Sequence, residues 1–523
     1  MKNGKVFLRL SVIALLLACT SGTIVQAEDV SGKVNEVSES AEDTVYGGNA
    51  ADGSALNNQL SITKEASVNG SAYSGYSSNR EASGNTLKIT RTGTIYESAE
   101  GGYVNSGSGA VSGNKVFMES GEVVQSINSG STGGSGDATG NSIELSGGTV
   151  TISVYGGVSA GDNAKGNSVT IGGGSIDAKA GNVYGGVTLT SESVESSGNY
   201  LYIKESGTVD ANAYGGYSGF GSALKNIVTM TGGTVGDCLY GGRVSEKSNG
   251  EASYNEVTIS GGTVSNDVIG GYSQNGDVIG NKVTVEGTAT VKGTDYSDVY
   301  GGYSIDGKAS GNQVQMTGGS ADSGTASNNT VNIYGGTFKS DTRLYGGFSD
   351  DSSGNTLNFY TKGITVDKLG YFQNLSFYVP EDTTAGETIL TVTSTADVSG
   401  ASIRASVYDS MKMSPGDTIT LIDGRSGLTA EDTDYGMMSG SSTVTDAAFL
   451  RREVNIRKDG DKVILEVPED SVPSLLSDTK LLAEAREASI ETLWNASDMA
   501  AENYKEAVDA YAAGSGGFMP YAS

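Results

Sequence analysis

The chain of 523 residues has no histidine, five prolines, two cysteines and one tryptophan. Without histidine, Ser-His-Asp and Cys-His catalysis are excluded, as is most zinc chemistry. Cationic side chains are also scarce. Lys and Arg number 33 against 61 Asp and Glu, a formal charge of −28. So acidic a chain repels phosphate backbones, which excludes nucleic acid as a partner. With so little proline, Gly plus Pro stays below the level of low-complexity disorder. Glycine itself is abundant: its 78 residues are about twice average usage. That glycine belongs in tight turns rather than in linkers.

The N-terminus reads as an export signal of residues 1–27. Lys2, Lys5 and Arg9 form a basic start, residues 10–18 an apolar stretch, and Val25-Gln26-Ala27 a cleavage site. The alternative is lipidation at Cys19, after Leu16-Leu17-Ala18. The apolar run is too short to span a membrane as a helix. Cleavage after Ala27 removes three basic and no acidic residues, taking the charge from −28 to −31. It also removes Cys19 and leaves Cys238 alone, so no internal disulfide staples the mature chain. Backbone hydrogen bonding and packing must hold it together.

One unit recurs from about residue 45 to 360. Its opening asparagine falls at 58, 85, 114, 141, 167, 199, 226, 255, 281, 312, 329 and 355, a mean step of 27 residues. The short step from Asn312 to Asn329 lacks a Tyr-Gly-Gly segment and reads as a trimmed coil. The second landmark, usually Tyr-Gly-Gly, ends at Gly48, Gly157, Gly186, Gly216, Gly242, Gly302 and Gly347, with variants at Gly75, Gly102, Gly130 and Gly271. Within a unit, apolar residues alternate with polar ones, as in Val257-Thr258-Ile259 and Val283-Thr284-Val285. Glycine pairs every dozen residues argue against helix, at about 1 kcal/mol each. Short β-branched runs with no hairpin dipeptide between them pair with their copies in the next unit. The expected fold is therefore all-β: a right-handed parallel β-helix over residues 28–370. Coils about 4.8 Å apart would make a rod of roughly 55–60 Å. Propeller blades need about 40–45 residues, and a sandwich would not repeat so closely.

Beyond residue 360 the unit is lost and longer apolar strands follow, at 374–380, 388–392, 416–422 and 461–467. Residues 371–470 are expected to form a β-rich cap, because the last coil of a solenoid otherwise exposes core and edge. Residues 471–514 then form a helical linker. Its stretch 478–513 has no Gly or Pro, and Ile490, Leu493, Tyr504, Val508 and Tyr511 fall near one face.

Signal, glycine-rich repeats, β-rich cap and charged helix, in that order, resemble a Gram-negative autotransporter over essentially the whole chain. The sequences at 371–380 (YFQNLSFYVP) and 416–422 (GDTITLI) look like the C-terminal passenger segment. The resemblance implies that this segment is a folding nucleus during secretion. Residues 475–480 (LLSDTK) with the helix after them are similar to the linker that threads the barrel, and 516–521 (GGFMPY), within the stub 515–523, to the lead into the first barrel strand. The repeats match only at the level of a solenoid passenger; residues 371–480 carry the stronger likeness. Barrel strands need about 9–11 residues each, and nine residues follow Gly514. The barrel is therefore expected beyond this sequence or on a separate chain.

Two columns of aromatics stand out. Tyr155, Tyr184, Tyr214, Tyr240, Tyr300 and Tyr345 share one repeat position, and Tyr217, Tyr272, Tyr303 and Phe348 another. Solenoid phase would stack them, either as a strip facing sugar rings or as a ladder stabilising the coils. The asparagine column reads as amides bonded to their copies. Gly302 to Lys308 nearly spells a phosphate loop, but Ala309 replaces the metal-ligating hydroxyl and no helix follows. Gly133 to Asp137 approaches a calcium-binding repeat, with its Asp one position early. The carboxylate pairs Asp350-Asp351 and Glu381-Asp382 read as solvated loops. No catalytic residue, metal or cofactor is expected.

The resulting expectation is an adhesin or self-associating surface protein, displayed at the outer membrane or secreted, and periplasmic if no barrel serves it. Its partners would be host-cell or neighbouring-cell surface molecules, glycans among them, together with a barrel translocator and the assembly machinery. The competing class is a β-helix polysaccharide lyase or hydrolase, which would need unlike loops carrying acids and bases on one face.

Overall fold

Residues 252–273 show how one coil is built. Ala252–Ser253 forms a two-residue strand, Glu256–Val264 a long one and Val268–Ser273 a third. Along the long strand Val257, Ile259 and Val264 point inward and are fully buried, while Glu256 and Thr258 stay half-exposed. The two longer strands pair in parallel with their copies one coil before and after, and Ala252–Ser253 with its copy in the coil before. Val257 lies between Val228 and Val283, and Val268 between Leu239 and Val299. Stacking repeats this about 12 times, giving a parallel β-solenoid with one C-terminal helix. The computed structural model describes residues 28–512 except 91–92, 174, 177–180, 293–297, 305–308, 317–319, 322, 326–329, 339–341, 347–353, 448–449 and 476. The export signal, Asn329, Phe348, Asp350-Asp351 and the stub 515–523 lie outside the described residues.

The two sequence landmarks are one structural unit. Asn226 donates from Nδ2 to Asn255 Oδ1 at 3.0 Å and to the Ser196 carbonyl at 2.9 Å. Its backbone N–H also reaches Asn255 Oδ1, at 2.9 Å, and its own Oδ1 accepts two bonds from Asn199. The same bonds run unbroken from Asn58 to Asn312. These amides are essentially sealed from water, where an unpaired polar group would be expensive. Among the described residues, the last glycine of each Tyr-Gly-Gly packs directly on this ladder. A Cβ at Gly216 would overlap the amide of Asn226, and one at Gly242 that of Asn255. Just before each asparagine the chain turns left-handed, at Gly140 (φ 61°) and Gly198 (φ 61°), but also at Lys225 (φ 56°) and Tyr254 (φ 58°).

The trimmed coil keeps strands in both main sheets, Gln313–Met316 and Ser323–Thr325, and so does not interrupt the stack. The change of pattern after residue 360 is not a change of architecture. Thr356–Phe359, Asn374–Tyr378, Ser402–Ser406 and Asp434–Met437 continue the long sheet in parallel. The core is continuous from Val37 to Val467. Closure comes later, where Lys462–Glu466 runs antiparallel between Thr418–Gly424 and Asn455–Asp459. A second antiparallel pair, Thr443–Ala447 with Leu450–Glu453, lies between them in sequence. The helix spans Ser477–Ala512, and each of its side chains that is described is exposed.

Candidate functional site: the tyrosine columns

The Tyr-Gly-Gly strands place tyrosines outside the solenoid in two neighbouring columns. In the first, Tyr155, Tyr184, Tyr214 and Tyr240 are in register and stack face to face. Their ring centroids are 5.0, 4.7 and 5.0 Å apart, with planes within 9°. Ile269 then separates Tyr240 from Tyr300, and Thr325 stands before Tyr345. The six sequence positions thus share a column, but only four form one continuous stack.

Each ring in that stack covers its neighbour. Tyr214 is 4% exposed and Tyr240 7%. Burial pushes the Tyr214 hydroxyl up to about 12, against the opposing pull of Arg243, and holds those of Tyr184 and Tyr240 above the usual phenol range. Tyr184 and Tyr214 have no open face for a sugar ring. Their stacking instead ties coil to coil, at about 0.5–1.5 kcal/mol per pair.

The second column reads Tyr217, Arg243, Tyr272 and Tyr303 in register. Its tyrosines meet the first column edge to face, for example Tyr214 to Tyr217 at 5.7 Å and Tyr300 to Tyr303 at 5.1 Å. Arg243 fills a tyrosine's place. Its guanidinium lies 5.1 Å from the Tyr240 ring and 5.3 Å from that of Tyr272, and it donates to the Tyr214 hydroxyl at 3.1 Å. Cys238 is buried at the edge of this cluster, its thiol pushed up to about 12 by burial, far from a reactive thiolate.

Two arrangements were not read from the sequence. Tyr46 and Tyr73 begin the first column, which Glu100 and Asn128 then interrupt before Tyr155. Glu100 is 4% exposed; its Oε1 accepts a bond from Asn128, and its Oε2 is buried without a partner. Burial pushes its carboxyl up to about 8, with the Asn128 bond opposing. The second arrangement is on the long sheet. Tyr334, Tyr360 and Tyr378 stack at 4.2 and 4.4 Å with planes within 7°. Its signal was legible as Asn-Ile-Tyr334, Asn-Phe-Tyr360 and Ser-Phe-Tyr378.

The remaining sequence candidates have structural partners. Gly302 and Ala309 sit in strands Asp298–Ser304 and Ala309–Ser310, with the segment between them outside the described residues. Asp137 accepts from the backbone and side chain of Asn163 in the next coil. Glu381 accepts from Ser410 at 2.6 Å, and Asp382 lies 3.5 Å from Lys362. Among the described residues no group of three His, Cys, Asp or Glu could hold a metal ion, and no helix is long and apolar enough to cross a membrane. No protein family, curated protein or solved structure matches the chain.

Proposed function

We propose that this chain is the passenger of an autotransporter-like surface-display system and that it works by adhesion, to other cells or to further copies of itself. The observation that carries the reading is the lateral surface. Tyrosines recur at two neighbouring strand positions with breaks between them, and at the second, which Tyr76 and Tyr103 begin and Ser131, Val158 and Val187 interrupt, Tyr76, Tyr103, Tyr217, Tyr272 and Tyr303 stay partly exposed. Partly exposed tyrosine with a central arginine is the composition of protein contact surfaces. The order of parts supports the display half of the reading: repeats, antiparallel closure, then a helix of 36 residues. The exposed acids on that helix, Glu487, Glu491, Asp498 and Glu502 among them, suit a segment whose partner is a barrel interior, which is polar.

Beads coated with the purified chain test it. They are expected to attach to epithelial cells, to bacteria displaying the chain, or to one another. Beads that do none of these would overturn the adhesive reading. New reducing ends or unsaturated products from mixed polysaccharides would replace it with the enzymatic one.

A further inference from the structure

Among the described residues, the tyrosines of the long sheet are the most closely stacked. Tyr360 lies between Tyr334 and Tyr378 at 4.2 and 4.4 Å, with planes within 7°. The other stacked tyrosine pairs stand 4.7–5.5 Å apart. The backbone sets this closeness. Ile333, Phe359 and Phe377 are in register and fully buried, and each is followed by a tyrosine that strand alternation turns outward.

The stack is also open to water. Tyr334 is 40% exposed and Tyr378 37%, whereas Tyr214 and Tyr240 are sealed. The Tyr360 hydroxyl lies against those of both neighbours, and burial and these phenols together hold it above the usual range. Rings stacked with their hydroxyls together have their ortho carbons together as well. These are the carbons through which phenoxyl radicals couple. No disulfide can tie these coils, because beyond the export signal the chain has Cys238 alone.

We propose that Tyr360 is a cross-linking site, at which a haem peroxidase fed with hydrogen peroxide joins it to Tyr334 or Tyr378 as dityrosine. Each of two phenols gives up one electron and one proton. The two radicals form a bond between ortho carbons, and the hydrogens on those carbons pass through water to the phenolic oxygens. One hydrogen peroxide takes up the two electrons and two protons and leaves as two waters. Exposure gives the protons a route to water and leaves Tyr334 and Tyr378 room to tilt toward the central ring. A radical on Tyr360 has two partners already held beside it, so it couples within the chain before it meets another chain. The product ties the last repeat coils to each other or to the C-terminal region. It stabilises them by restricting the unfolded chain.

Oxidation of the full chain with a haem peroxidase and limiting hydrogen peroxide tests this. With 27 tyrosines in the chain, which pair couples first decides the matter. Dityrosine fluorescence reports the yield, and mass spectrometry of tryptic peptides the position. Lys339, Arg343, Lys362 and Lys368 put the three tyrosines on separate peptides. The first product is expected to be a single chain, linked from the Tyr360 peptide to that of Tyr334 or Tyr378, with a raised urea midpoint. Tyr360→Phe keeps the ring and should lower this link at least about tenfold. Tyr345→Phe should leave it unchanged; Tyr345 meets Tyr371 edge to face at 5.4 Å and shares the peptides of Tyr360 and Tyr378. Absence of dityrosine overturns the proposal, as do first links at other tyrosines or only between chains. An unchanged yield in Tyr360→Phe overturns it too.

Discussion

Residues 45–360 and 361–470 continue one interior column, yet they hold their coils together with different chemistry. In the repeats, the element that aligns successive coils is polar and buried: the asparagine ladder, with a glycine column packed against it. Side chains inside are mostly Val, Ile and Ala. In the C-terminal region the ladder ends, Asn355 handing its N–H to Gln373 Oε1 at 2.9 Å. Larger apolar groups take over, beginning with Phe377 stacked at 5.1 Å on Phe359 of the last repeat, then Leu390, Leu421 and Ile422. A polar ladder sets register because a slip leaves buried amides unpaired. An apolar core gives more burial energy per residue and less register information. The first suits repetition and the second suits termination, where an antiparallel strand must leave the repeat.

The sharpest break is to remove one region. Ending the chain after residue 370 strips Thr356–Phe359 of its partner Asn374–Tyr378 and opens the core. Such a chain is expected to refold slowly or incompletely from denaturant, while one ending after 470 refolds cooperatively; equal rates and amplitudes would show that the repeats nucleate themselves. Next is Asn226→Ala, which leaves the buried Asn199 N–H without its acceptor, takes the side-chain donor from the Ser196 carbonyl and opens a cavity in the ladder, while Asn255 Oδ1 keeps only the bond from the residue 226 N–H; each orphaned group costs about 1–3 kcal/mol. Several kcal/mol of stability should be lost in urea denaturation, and hydrogen exchange should rise in the coils on both sides. Phe377→Ala, the apolar counterpart, should cost about 3–5 kcal/mol and leave exchange in the repeats unchanged.

A fourth test concerns the fault in the tyrosine column. Glu100 holds its proton up to about 8 in the folded chain, whereas an ordinary glutamate releases it near 4.5. Its contribution is full below 4.5 and falls by about 1.4 kcal/mol per pH unit as pH rises toward 8, then levels. Glu100→Gln should flatten this window in melting temperatures taken from pH 4 to 9; an unchanged profile would assign it to other groups. The smallest effects belong to the turns. Nothing lies near the missing Cβ of Gly140, so Gly140→Ala should cost only the left-handed strain, about 1–2 kcal/mol. Lys225→Gly should relieve that strain, for a gain of under about 1 kcal/mol after glycine's own entropy. Urea midpoints of the two variants moving in the same direction would refute the turn argument.

Period-two alternation, a step of 27 residues and glycine at fixed phase determined the parallel solenoid from the sequence alone, because each is a local requirement repeated many times. The tyrosine columns were legible for the same reason: equal phase means equal position. What sequence could not decide is what lies beside what when the phase differs. That Asn226 packs on Gly216 depends on two strands of one coil folding back on each other. That residues 371–437 prolong the solenoid depends on pairings between segments sharing no motif, such as Leu375 with Ile403. Whether a ring face is open depends on the next coil. The same residue type is sealed at Tyr214 by Tyr184 and Tyr240, and left open at Tyr378 because Ser406 follows it. Exposure is a property of neighbours brought together by stacking, and stacking is a tertiary event.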